Sequence, residues 1–257
     1  MSPSSTRVDL VRMGAAARLR LIPPEGKPPT LDPTVLDALD EALARVEADP
    51  PRLLVVESAS AKYFCVGANL HALRETTEAS IVPWVRCGHQ VVNRLEDLPC
   101  PTVARVTGFA LGGGLELALG CDLIFATPEA RFGLPEATLG FIPGWGGCRR
   151  LAERIGTAPA KRWFFSAAVM DGVAARDAGL ADFAGTEAEV DAELNRFGEA
   201  VEACSAPALA AFKRILGDEQ REARVRNLEA EAAASPDCVR NPDTRRRLDA
   251  FFAAKRS

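Results

Sequence analysis

The chain has 257 residues, 47% apolar and 26% charged, enough for one large domain with a real core and too well mixed for wholesale disorder. Its formal net charge of -4 gives no electrostatic footing for nucleic acid, whose readers carry a strong basic excess. No stretch approaches the roughly 18 uninterrupted apolar residues of a membrane span, and the N-terminal MSPSSTRVDLVRMG interrupts its apolar residues with Arg7, Asp9 and Arg12, unlike a signal peptide.

In chain order, Ala17–Ile22 and Leu53–Glu57 (LLVVE) read as strands, the second apolar enough to be buried on both faces. Between them Thr30-Leu31-Asp32-Pro33 resembles a helix start, and Val35–Val46 repeats apolar residues at helical spacing. A further helix is predicted over roughly Ile81–Leu95, with Pro83 in its first turn, where proline is tolerated. Thr102–Thr107 and Leu123–Ala126 read as strands flanking a glycine-rich segment. From there on helices dominate: Ala158–Ser166, Val173–Ala178, Thr186–Ala203 with Thr186 as N-cap, Ala208–Leu216, Glu219–Ala234 and Thr244–Lys255. The alternation predicts an α/β body over residues 1–185 followed by a helical region over residues 186–257.

Several common chemistries lack their residues. The seven cysteines (Cys65, Cys87, Cys100, Cys121, Cys148, Cys204, Cys238) are odd in number and no two lie three apart, which suggests reduced thiols in a cytoplasmic compartment rather than a zinc knuckle or disulfide framework. No serine sits in a G-x-S-x-G elbow, and His71 and His89 form no H-E-x-x-H pair, so no metal site is expected. Gly26-Lys27 runs into Pro28 without the upstream glycine of a phosphate loop, and Gly112, Gly113 and Gly114 do not complete G-x-G-x-x-G because position 117 is leucine.

The informative stretch is Pro101–Gly147, PTVARVTGFALGGGLELALGCDLIFATPEARFGLPEATLGFIPGWGG. Three consecutive glycines follow an apolar strand and open Leu115–Leu119, which should be helical, so bare backbone N–H groups are available at its start to hold a developing oxyanion. Glu116 lies in the first turn of that helix, and Glu136 follows Pro135 ahead of a turn rich in glycine. Two carboxyl groups beside an oxyanion donor make an acid–base pair if the fold joins them. An acidic residue early in a helix also simply complements its dipole.

Longer signatures give these residues a context. KYFCVGANL (Lys62–Leu70), ALGGGLELALGCD (Ala110–Asp122), FGLPEATLGFIPGWGG (Phe132–Gly147) and AARDAGLAD (Ala174–Asp182) occur in order, and together they resemble the crotonase superfamily of enoyl-CoA hydratases and isomerases. The resemblance implies a crotonase-like spiral of ββα units with a C-terminal helical trimerisation region, and a homotrimer or a hexamer of two trimers. It implies an acyl-CoA thioester as substrate, with no cofactor beyond the coenzyme A that the substrate carries.

By the same resemblance, the backbone N–H groups of Ala68 and Gly113 would polarise the thioester carbonyl, each donor worth about 3 kcal/mol in the transition state. Glu116 would activate water for attack at C3, and Glu136 would move the proton at C2. Members that only shift a double bond keep the equivalent of Glu136 and lose the other, so the presence of both favours reversible hydration. Lys27 and the C-terminal Phe252 and Lys255 would meet the phosphates and adenine of coenzyme A. Backbone groups of Ala68, Asn69, Leu70 and His71 would line the path from adenine to thioester, Gly112, Pro135 and Gly144 would also contact the substrate, and Trp145 and Trp84 would shape the acyl pocket. Three features depart from the family pattern: Asn69 in place of aspartate, LIPPEGKPPTLD in place of the early L-N-R-P, and the arginine-rich CVRNPDTRRR. The last leaves open an acyl-carrier protein as the bearer of the acyl group, and an acyl-CoA-binding scaffold without catalysis is the rival outside enzymology.

Overall fold

A computed structural model describes residues 5–254. The chain begins with a hairpin, β1 (Arg7–Met13) and β2 (Ala16–Ile22), and then α1 (Pro33–Ala48), which Asp32 caps by accepting the Val35 N–H. Next come β3 (Leu53–Ser58), β4 (Tyr63–Cys65), α2 (Leu70–Arg74) and α3 (Glu78–Asp97). The pattern of two strands and a helix then repeats, as β5 (Thr102–Val106), β6 (Phe109–Leu111) and α4 (Gly113–Leu119). It repeats again as β7 (Leu123–Ala126), β8 (Arg131–Gly133), a 3-10 turn over Glu136–Leu139, α5 (Gly147–Ile155) and α6 (Thr157–Ser166). After β9 (Val169–Asp171), α7 (Gly172–Asp177) and β10 (Phe183–Ala184), the remainder is helical: α8 (Glu187–Ala203), α9 (Ala206–Arg240) and α10 (Pro242–Ala254).

Each repeat sends its first strand to one sheet and its second to another. The larger sheet has the order β1-β2-β3-β5-β7-β10, parallel except for the opening hairpin. The smaller has the order β4-β6-β8-β9, with only the last pair antiparallel. The result is the expected spiral of ββα units in an α/β fold. β3 is buried along nearly its whole length, as LLVVE predicts, because α1 and α3 cover one side of its sheet while α8 packs Val190 and Leu194 against Leu53 and Val55 on the other. Thr186 caps α8 reciprocally with Glu189, also as predicted.

Two predicted elements are corrected. The stretches Ala208–Leu216 and Glu219–Ala234 are one continuous helix, α9, through Gly217. Gly217 is accommodated because Arg224 fills the space a side chain would take, its Nη2 donating to the Gly217 carbonyl while Nη1 pairs with Asp97 at the end of α3. The helix around Ile81 starts earlier, at Glu78, because Thr77 and Ser80 form a capping box, so Pro83 lies inside α3 rather than in its first turn.

The smaller sheet positions everything that follows. β4, β6 and β8 run parallel, so the segments leaving their C-terminal ends (Val66–Asn69, Gly112–Glu116, Leu134–Glu136) emerge side by side, where ligands of open α/β sheets bind. Their closeness depends on missing side chains. A Cβ on Gly114 would stand 2.0 Å from the Cys65 carbonyl oxygen, and both partners are backbone. Gly114→Ala is therefore expected to cost about 1–3 kcal/mol or more of unfolding free energy, read as a lower urea midpoint. A midpoint equal to that of the wild type would show that α4 and β4 are not locked together there.

Candidate active site

Ala68 follows β4 in a loop that Leu31 grips. The Leu31 N–H donates to the Gly67 carbonyl at 2.9 Å, and the Leu31 carbonyl accepts from Asn69 N–H at 3.0 Å. A parallel bridge of this kind uses the groups on either side of Ala68, so the Ala68 N–H points the other way. The loop also packs on the start of α4, since a Cβ on Gly67 would lie 2.7 Å from the Gly113 nitrogen. Among the described residues, neither the Ala68 nor the Gly113 N–H has a protein acceptor. Asn69 supplies the N-cap of α2, its Oδ1 accepting from His71 and Ala72 at 3.0 and 3.3 Å, so the amide does the capping without the aspartate charge.

Glu116 is 2% exposed, and its Oε1 accepts two backbone N–H bonds, from Trp145 and Gly147, each 2.7 Å. Oε2 is left for other partners. Burial raises its pKa well above the ordinary carboxylate range, with the charges of Glu231 and Glu136 adding to the effect and the two amides opposing it. Glu136 stands above Gly112, where a Cβ would come within 3.0 Å of its Oε1. Its Oε2 is sealed from solvent and has no hydrogen-bond partner among the described residues. Burial pushes the Glu136 pKa up to about 7, near the value an acid–base group at neutral pH requires.

Both carboxyl groups face a cavity of about 670 Å³. Its wall brings together Lys27, Ala68, Asn69, Leu70, His71, Gly112, Gly113, Glu116, Pro135, Glu136, Gly144, Trp145 and Phe252, as well as Trp84. Lys255 lies outside the described residues. The Trp145 ring lies flat on the backbone of Gly88 and Gly113, either of whose side chains would collide with it, and so forms a floor under the first turn of α4. Phe252 packs against His71 at 4.7 Å between ring centres, tilted by 41°, and takes Arg74 over its face at 5.2 Å, so α10 forms part of the mouth of its own chain's cavity.

Sequence reasoning missed one buried constellation behind this wall. Glu231 on α9 meets His89 of α3 at 2.8 Å and accepts the Gly146 N–H at 2.9 Å. The signal for His89 was present: it shares the apolar face of α3 with Trp84, Val85 and Val92, where a histidine needs a partner. Nothing in the alanine- and glutamate-rich α9 marks Glu231.

The architecture is that of solved enoyl-CoA hydratases. It superposes on the enzyme from Bacillus halodurans with a TM-score of 0.89, covering 95% of this chain and 99% of that one at 23% identity. Pseudomonas aeruginosa DspI gives 0.78, with 96% of each chain covered at 25% identity. The family model for enoyl-CoA hydratase/isomerase matches residues 17–257, and the chain belongs to that family. It is 30% identical over 230 residues to a probable enoyl-CoA hydratase of Bacillus subtilis (strain 168), covering 88% of each. It is also 40% identical over 152 residues to the mitochondrial methylglutaconyl-CoA hydratase of Rattus norvegicus. That match takes in 59% of this chain and 48% of the relative, so the chain spans about half the length of such relatives.

The raised Glu136 pKa has a stability consequence. Because the folded state disfavours its charge, the group's contribution is complete below its ordinary pKa of 4.5 and is lost as pH rises through about 7. The rise is worth at most about 3 kcal/mol. Glu136→Gln should therefore match the wild type in thermal midpoint near about pH 4.5 and exceed it by several degrees near about pH 8. A midpoint difference that does not change with pH would mean that Glu136 ionises freely.

Proposed function

We propose that the protein catalyses the reversible addition of water to a 2-enoyl-CoA thioester. The thioester oxygen sits between the Ala68 and Gly113 N–H groups, which stabilise the enolate as it forms. Glu116, with Oε1 pinned, uses Oε2 to take a proton from water as the water oxygen bonds to C3. The C2–C3 π electrons move toward the carbonyl, and C2 then receives a proton from Glu136. One proton returned from Glu116 to Glu136 resets the pair, and dehydration runs the same steps backwards. Lys27, His71 and Phe252 at the mouth suit the charged and aromatic end of coenzyme A, and Trp84 and Trp145 bound the acyl end.

The observation that carries this reading is the pairing of two unoccupied amides with two buried carboxyl groups of unlike bonding, one pinned and one free. A carrier-protein substrate draws little support from the arginine-rich turn, because Arg240 pairs with Glu78, and Arg246 and Arg247 pair with Asp243. The reading includes a trimer or hexamer, supported by the exposed Phe212, Ile215, Leu216 and Val225 on α9. It also includes a reducing compartment such as the cytoplasm, supported by seven unpaired cysteines.

With crotonyl-CoA, the wild type should consume the conjugated enoyl absorbance, while Glu116→Gln and Glu136→Gln each lower kcat by about 10²–10⁴-fold and leave KM nearly unchanged. A rate close to that of the wild type in either variant removes that residue from the mechanism.

A further inference from the structure

The turn from Gly144 to Gly147 is held from opposite sides. The amides of Trp145 and Gly147 bind Glu116, and the amide between them, Gly146, faces away and binds Glu231 Oε2 at 2.9 Å. The alternation requires the left-handed backbone of Gly146, at φ +93°. Arg150 Nη1 fixes the same turn from its acceptor side by donating to the Trp145 carbonyl at 2.9 Å.

Glu231 lies behind the cavity wall, 2% exposed, and the chemistry described above does not use it. Its carboxylate is fully engaged, with His89 Nε2 at 2.8 Å and Gly146 N on Oε2, and Asn227 Nδ2 at 3.1 Å on Oε1. A buried carboxylate is costly to keep, and besides the Cys148 thiol its contacts include the helix α3 through His89 and the turn whose amides hold Glu116 through Gly146.

We propose that Glu231 is a positioning residue for Glu116: it locks the Gly146 peptide so that the two flanking amides aim at Glu116 Oε1, and it places a second carboxyl group behind the same turn. The inference rests on Glu116 being the group that activates water. Other charged or titratable groups around Glu116 are Glu136 on the 3-10 turn, Cys148 and Arg150 on α5, and His89 on α3 behind Glu231. The strands under α4 add only the thiol of Cys65 and the phenol of Tyr63. Of the charges acting on Glu116, that of Glu231 is the largest, and it opposes ionisation. Removing it should lower the Glu116 pKa and move the limb of the rate profile that reports Glu116 ionisation to lower pH.

Glu231→Gln keeps an oxygen for the Gly146 N–H and removes the charge, whereas Glu231→Ala removes both. With crotonyl-CoA, Glu231→Ala should lower kcat by about 10–100-fold at nearly unchanged KM, through misplacement of Glu116. Glu231→Gln should recover most of that loss while its pH profile stays displaced to lower pH. Carbon-13 NMR of side-chain-labelled glutamate, with Glu116 assigned through Glu116→Gln, should show the same displacement without any turnover. A purely structural role would change the thermal midpoint and leave both the profile and the NMR titration of Glu231→Gln superimposed on the wild type, and that result overturns the proposal. A wild type inert toward enoyl-CoA would reject the hydratase reading, while the NMR titration would still decide whether Glu231 controls Glu116.

Discussion

The site depends on two stretches of backbone that touch with no side chain between them. Val66–Ala68 leaves β4 and Gly112–Gly114 leaves β6, and the parallel pairing of those strands brings both stretches to the same edge of the small sheet. At Gly67 a single Cβ would press on the Gly113 nitrogen and the Leu111 carbonyl at once. Leu31 holds the first stretch by the groups flanking Ala68, and the helical turn holds the second. The Ala68 and Gly113 N–H donors on these two touching stretches have no partner among the described residues. Buried donors normally find acceptors, so an unpaired pair held by rigid elements carries a free-energy cost in the fold.

Negative charge in the interior is the second constraint. Glu116 and Glu136 lie close enough to each other and to Glu231 for charges to interact, and burial and repulsion both work against ionisation of Glu116 and Glu136. Backbone amides take up part of this cost at Glu116 and Glu231. A short distance away the balance reverses. At Glu96 burial raises the pKa, but Arg150, Arg149 and Arg224 outweigh it and hold the carboxyl below its ordinary range. Arg150 also grips the Trp145 carbonyl, so one ion network both docks α9 against α3 and α5 and braces the turn that carries the Glu116 amides. The contrast fits a division of roles: charges that only hold the fold are neutralised, and those at the cavity are left frustrated.

The sequence made Glu116 and Glu136 legible because each sits beside glycines whose positions are dictated by close backbone contact. α1, α8 and β3 were legible for a plainer reason, through caps and periodicities longer than a turn. β4, β6, β8 and β9 were not, since three residues are too few to establish an alternation. α9 was read as two helices because Gly217 and the polar residues after it weaken local propensity, while what sustains it is a tertiary ion pair from Arg224 to Asp97. Glu231 and His89 are 142 positions apart, and only packing reveals them to each other.

The two last helices divide the cavity between them. α9 stands behind the inner wall, where Ser235 reaches the cavity one turn from Glu231 and its hydroxyl closes back on the Glu231 carbonyl at 2.7 Å. α10 stands at the mouth, where Phe252 binds α2 through His71 and Arg74, and Thr244 donates to Gly140 at the end of the 3-10 turn that carries Glu136. The mouth is therefore aromatic and cationic, and the inner end apolar around Ile81, Trp84 and Val85. α9 thus holds the turn whose amides bind Glu116, and α10 holds the end of the 3-10 turn that carries Glu136, so the C-terminal helices brace both carboxyl groups through these hydrogen bonds.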